Sequence, residues 1–245
     1  MAEPPSRLAE RLRAVTQARV ALGRAGQALP TAPLLEFELA HARARDAVHA
    51  AFDPALITAA LPGAETIEVH SRAVDRATYL QRPDLGRRLR AEDLSRLARP
   101  AAELAFVIAD GLSATAVHAH AAPLLRILIE RLQGWRIAPV VLAHQARVAL
   151  GDEVGAALGV AMVVLLIGER PGLSAPDSLG AYITWAPAVG RRDSERNCVS
   201  NIRPPHGLSY ALAAEEIVRV VTRARRVGLT GVQLNSDQHT LSDGS

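Results

Sequence analysis

Two short segments place reactive residue types where a sheet would present them. Asp110-Gly111-Leu112-Ser113 follows the apolar run "AFVIA", and Gly168-Glu169-Arg170-Pro171-Gly172 follows "VVLLI". A strand buried on both faces that ends in a carboxylate, on a turn that cannot continue it, marks either a ligand or a surface charge. In open α/β sheets, ligands bind beyond the carboxyl ends of the strands, where helix N-termini also point. Each segment also has a structural reading: Ser113 as the N-cap of the helix that follows, and Glu169 paired with Arg170 in solvent.

Other chemistries find less support. His118 and His120 are two apart on a predicted helix, so they point roughly 200° apart and cannot chelate one metal. With a single cysteine and scattered histidines, no zinc set is expected. That cysteine, Cys198, has no identifiable histidine partner and reads as an inert thiol rather than a nucleophile. All 28 basic residues are arginine. The absence of lysine excludes both a pyridoxal phosphate Schiff base and a Walker A loop. No Gly-x-Gly-x-x-Gly follows any strand, which disfavours a nicotinamide enzyme. No metal ligand is therefore expected on this chain.

The elements that must position these segments divide the chain. Hydrophobic residues make up 49% and charged residues 22% of the 245, a globular composition with room for a large core. The N-terminus has no apolar signal core, and one cysteine fits a reducing compartment, so a cytoplasmic protein is expected. The net charge of +3 is spread over helices where Arg and Glu alternate, unlike the concentrated basic face of a nucleic-acid binder. Residues 1–64 read as a helical segment: Leu8, Leu12, Val15 and Leu22 recur at helical spacing behind Ser6. "GRAGQALPTAP" breaks this helix, Thr31 can cap a second helix, and Asp53-Pro54 can start a third. Residues 65–234 alternate strands with helices: "TIEVHS", "AEDLSRLAR", "ELAFVIADGLS", a long helix closed by Gly134, one or two strands in "IAPVVLAHQARVAL", "GDEVGAALG", "VAMVVLLIGE", "GAYITWAP" and a closing amphipathic helix. The expected fold is α/β, a Rossmann-like, mostly parallel sheet flanked by helices. The polar residues 235–245 read as a disordered tail.

Residue patterns stop at an α/β ligand-binding protein, but a resemblance goes further. "LLIGERPGLSAPDSL" resembles the cobalamin-site segment of the small (light) subunit of ethanolamine ammonia-lyase. "RVALGRAG" (19–26), "YLQRPDLGRRL" (79–89), "VIADGLSA" (107–114) and "CVSNIRPPHG" (198–207) resemble that family's other signature stretches in the same order, over roughly residues 8 to 227. The resemblance implies the conversion of ethanolamine to acetaldehyde and ammonia with adenosylcobalamin. It implies a separate large TIM-barrel subunit that binds the substrate, a corrinoid held between the two chains, and six copies of each. It also implies that the cofactor keeps its own base on cobalt and carries the radical chemistry, so no catalytic acid, base or nucleophile is expected on this chain. In agreement, the Asp-x-His-x-x-Gly motif of histidine-ligated corrinoid proteins is absent, since Ser242 stands where its glycine would be.

Carried over by matching motif, the cofactor-binding residues are Val148 in "ARVAL", Glu169 in "GERPG" and Cys198 in "CVSNI". Val148, expected at a strand end, would meet the apolar part of the corrin. Glu169 would accept from a rim amide, and Gly168 and Gly172 would let backbone approach the ligand. Cys198 would be a small packing contact. Some family members carry a long N-terminal extension that directs them to a bacterial microcompartment; here the family-like region begins almost at once, so the free cytoplasmic enzyme is expected. The rival reading is a stand-alone corrinoid- or small-ligand-binding α/β module without lyase activity.

Overall fold

The computed structural model describes residues 7–16, 18–98 and 101–234. Ser6 and the tail 235–245 lie outside them. Six strands form one sheet in the order β1-β3-β2-β4-β5-β6. These are β1 (Thr66–His70), β2 (Leu104–Ala109), β3 (Val140–His144), β4 (Met162–Gly168), β5 (Leu179–Trp185) and β6 (Asn197–Ile202). The pairs β1/β3, β3/β2 and β2/β4 are parallel. The pairs β4/β5 and β5/β6 are antiparallel, so the expected parallel sheet continues into an antiparallel flank.

The sheet is covered on both faces, and strand alternation sorts its side chains into two cores. Phe106, Ile108, Val164 and Leu166 face α6 (Ala114–Arg131) and α8 (Tyr210–Val227), joined by Ile57 and Leu61 from the region of α3 (Pro54–Ala60). Val107, Ala109, Val163 and Leu165 face α7 (Val148–Leu158) through Leu150, Val154 and Leu158. All six residues of β2 and all seven of β4 are buried, which explains their unbroken apolar sequence. From β2 the chain passes through α6 to β3 on one side, whereas from β4 it runs to β5 on the other. The carboxyl ends of β2 and β4 therefore flank the topological switch point, where such sheets bind ligands.

Most predicted boundaries hold, and the exceptions have local causes. Asp53 caps α3 by accepting from the Ala55 N–H at 3.0 Å, as its Asp-Pro sequence suggested. Thr31 is not a cap: Pro30 occupies that position, and Thr31 is the first residue of α2 (Thr31–His49). The first helix, α1 (Arg7–Val15), stops before Leu22. "IAPVVLAHQARVAL" yields one strand, and its "VAL" already opens α7, so Val148 begins a helix and does not end a strand. Residues Ala91–Arg96 form a 3-10 helix rather than an α-helix. The short helices α4 (Arg76–Gln81) and α5 (Pro83–Gly86), and strand β6, were not anticipated. Among the described residues no helix is long and apolar enough to cross a membrane.

Candidate functional site

The two segments singled out in the sequence meet at the switch point, locked together through their backbones. Gly111 has φ +56°, and a Cβ there would lie 2.2 Å from the Gly168 carbonyl oxygen. A Cβ on Gly168 would lie 2.1 Å from the Ser113 oxygen. This close approach lets the Leu112 N–H donate to Gly168 O at 2.9 Å. Only glycine fits at either position. Gly168 thus serves contact between two protein backbones, and it also lines the neighbouring cleft. Gly172, whose added Cβ would meet nothing nearer than 3.9 Å, has no such constraint.

Asp110 and Ser113 hold the rim. Buried Asp110 accepts from the Ala146 N–H (3.0 Å), the Gln145 N–H (3.0 Å) and Arg76 Nη1 (3.3 Å), tying the end of β2 to the loop after β3. Burial pushes its carboxyl up to about 6, partly offset by these donors. Ser113 caps α6 by accepting from the Ala116 N–H at 3.2 Å, and its hydroxyl donates to Pro176 O at 2.9 Å. Tyr79 is fully buried beneath this loop, with the Arg76 and Arg147 guanidinium carbons 4.8 and 4.4 Å from its ring centroid. Burial raises the Tyr79 phenol above its ordinary range, and its hydroxyl donates to Ala146 O at 3.0 Å.

Above this rim lies a cleft of about 380 Å³, lined in part by Arg147, Val148, Ile167, Glu169, Arg170 and Tyr182. Glu169 does not pair locally with Arg170 in solvent. Its carboxylate reaches across the sheet flank and accepts from the hydroxyls of Ser178 and Ser200 and from the Asn201 N–H at 3.3 Å. Gly180 leaves the space: a Cβ there would come within 2.9 Å of Glu169 Oε1. A carboxylate has about four lone-pair directions, so these three donors leave one acceptor direction free. Glu169 is therefore a fixed acceptor, held by Ser178 just ahead of β5 and by β6.

The structure brings Val148 and Glu169 to the same cleft. Cys198 stands one strand further out, on β6, as the register partner of Tyr182. Although Cys198 is exposed as a residue, its thiol is crowded. Partial burial and the Glu169 charge raise its pKa, while its hydrogen bond with the Tyr182 hydroxyl opposes them. That environment suits contact rather than nucleophilic attack. Sequence reasoning missed Ser178, Ser200 and Asn201, the partners of Glu169. It also missed Tyr182 and Arg147 as cleft-lining residues. The alternation of β6, where Cys198 and Ser200 are exposed beside buried Val199, was the one signal that could have found that strand.

A doubly covered α/β sheet with a half-polar cleft at its switch point places the chain in the open α/β class, whose members bind ligands at that point. Known proteins sharpen this class. The family described as ethanolamine ammonia-lyase light chain (EutC) matches residues 7–235. The ethanolamine ammonia-lyase small subunit of Azotobacter vinelandii is 55% identical over 238 residues, covering 93% of this chain and 88% of that protein. The small subunits of Pseudomonas syringae pv. tomato and Xanthomonas campestris pv. campestris are each 54% identical. They cover 92% and 96% of this chain, and 82% and 89% of their own lengths. The chain belongs to the ethanolamine ammonia-lyase light-chain family.

Proposed function

We propose that this chain is the cofactor-holding subunit of an adenosylcobalamin-dependent lyase that converts ethanolamine to acetaldehyde and ammonia. The observation that carries the reading is the cleft at the β2/β4 switch point, with Glu169 fixed as an acceptor by Ser178, Ser200 and Asn201. The donor set suits a corrinoid. A corrin has an apolar face rimmed by carboxamides, and the cleft offers apolar Val148 and Ile167 beside one directed carboxylate. A carboxylate removed from water needs such donors, and the rim amides would complete its set. The cleft is smaller than a corrin macrocycle, so this chain would take one edge and a large TIM-barrel subunit the remainder. By analogy with the family, six copies of each chain would assemble in the cytoplasm, with substrate-binding residues on the large chain.

When bound, adenosylcobalamin supplies the radical chemistry. The work of this chain is positional: Glu169 orients an edge amide, Val148 and Ile167 exclude water from the apolar face, and Cys198 packs beside Tyr182. None of these residues moves a proton.

Co-expression with the large subunit tests the proposal directly. The complex should form acetaldehyde from ethanolamine only when adenosylcobalamin is added, and neither chain alone should do so. An assembled complex that binds the cofactor without turnover would remove the lyase assignment.

A further inference from the structure

Glu169 enters the cleft from the end of β4. On the β3 side stands Arg147, whose environment is unusual. Its guanidinium lies 4.4 Å from the Tyr79 ring centroid, Nη2 donates to Tyr79 O at 3.4 Å, and its backbone N–H donates to Gly86 O at 2.8 Å. Gly86 makes room, since a Cβ there would stand 3.0 Å from Arg147 Cγ. The side chain is thus fixed, yet its Nη1 has no hydrogen-bond partner among the described residues. Arg147 lines the cleft with this N–H group uncommitted, so an entering ligand can supply the acceptor. Helix α7 begins at the next residue without a side-chain cap, so its positive end faces the same wall and favours an incoming oxygen.

We propose that Arg147 is a second hydrogen-bonding residue of this cleft, donating from its guanidinium to the carbonyl oxygen of a corrin-rim carboxamide. The inference rests on the corrinoid reading of the cleft and extends it. Primary carboxamides present both an N–H donor and a C=O acceptor. The cleft answers with an acceptor on the β4 side, Glu169, and a donor on the β3 side, Arg147. With Glu169, Arg147 and Arg170 all lining it, the cleft can both accept from and donate to an amide edge.

The test is an absorbance-monitored titration of the complex with its large subunit, comparing adenosylcobalamin with adenosylcobinamide. The second ligand keeps the corrin carboxamides but lacks the nucleotide loop and its phosphate. Arg147→Met retains the apolar stem over Tyr79, and Arg147→Lys retains the charge without the planar fork. Losing a hydrogen bond to a charged group should weaken both ligands equally, by about ten- to a hundredfold in Arg147→Met. Arg147→Lys should recover only part of the loss, and both variants should still assemble with the large subunit although Arg147→Met gives up the guanidinium contacts with Tyr79. Wild-type affinity in Arg147→Met would overturn the proposal. A loss confined to adenosylcobalamin would also overturn it, because the acceptor would then be the phosphate. Should Arg147→Met fail to assemble, Arg147→Lys decides by the same two comparisons. Failure of the wild-type complex to bind either corrinoid would instead remove the corrinoid reading itself.

Discussion

Replacing Glu169 with alanine separates its two jobs, clasp and ligand. The carboxylate accepts from Ser178, Ser200 and the Asn201 N–H. Ser200 and Asn201 are exposed and recover water when it is removed, whereas Ser178 is 5% exposed and loses its acceptor. One buried hydroxyl left unpaired costs about 1–3 kcal/mol, so the isolated chain should lose stability of that order in denaturant unfolding. The fourth acceptor direction is the one a rim amide would use. A hydrogen bond to a charged group is worth about 1.5–3 kcal/mol, equivalent to about a ten- to hundredfold loss of cofactor affinity. Glu169→Gln keeps one neutral carbonyl acceptor and should fall between wild type and Glu169→Ala. The assay is absorbance titration of adenosylcobalamin into the assembled complex, with unfolding curves run alongside. If Glu169→Ala loses stability but keeps full cofactor affinity, Glu169 is only a clasp between β4, β5 and β6, and the ligand argument fails.

Three further perturbations probe the scaffold. Gly168→Ala, whose Cβ would stand 2.1 Å from the Ser113 oxygen, should cost about 3 kcal/mol or more in unfolding. Gly172→Ala, with no neighbour nearer than 3.9 Å, should stay within about 1 kcal/mol. Equal effects would contradict the backbone lock. Asp110 has its carboxyl raised from 3.8 to about 6, so the folded state binds a proton that the unfolded state releases. The associated stability is present in full below about pH 4 and lost as pH rises to about 6, roughly 3 kcal/mol at about 1.4 kcal/mol per pH unit. Asp110→Asn should abolish that fall in pH-dependent unfolding, and an unchanged profile would contradict the assignment. The raised pKa of Cys198 predicts slow alkylation by iodoacetamide at neutral pH, and Cys198→Ala should hold cofactor affinity within about threefold. Rapid labelling at pH 7 would show an activated thiolate.

The frame of the site was legible because its signals are local. Apolar runs long enough to be buried on both faces gave β2 and β4, and Ser113 caps the helix that follows it. The turn glycines marked the meeting place, although only the structure shows that Gly168 closes on the β2 loop while Gly172 is unconstrained. What escaped is what depends on residues far apart in the chain. Glu169 is held by residues nine, thirty-one and thirty-two positions away, and no local pattern announces a hydroxyl as the partner of a distant carboxylate. Strand β6 is a six-residue edge strand of mixed burial with no continuous apolar run, so the pattern that revealed the interior strands does not reveal it. Val148 was misplaced because an apolar triplet after a strand reads equally well as its continuation or as the first turn of a helix. The N-cap, Arg147, offers no capping side chain to distinguish them.

The most direct test of the central claim is a titration of adenosylcobalamin into the purified chain alone and into the chain co-expressed with its large subunit, followed by absorbance. A cofactor edge held by this cleft and completed by a second chain predicts saturable binding only when both chains are present. Tight binding to the isolated chain would contradict a shared pocket and favour a stand-alone corrinoid module. No binding in either sample would contradict the corrinoid site altogether.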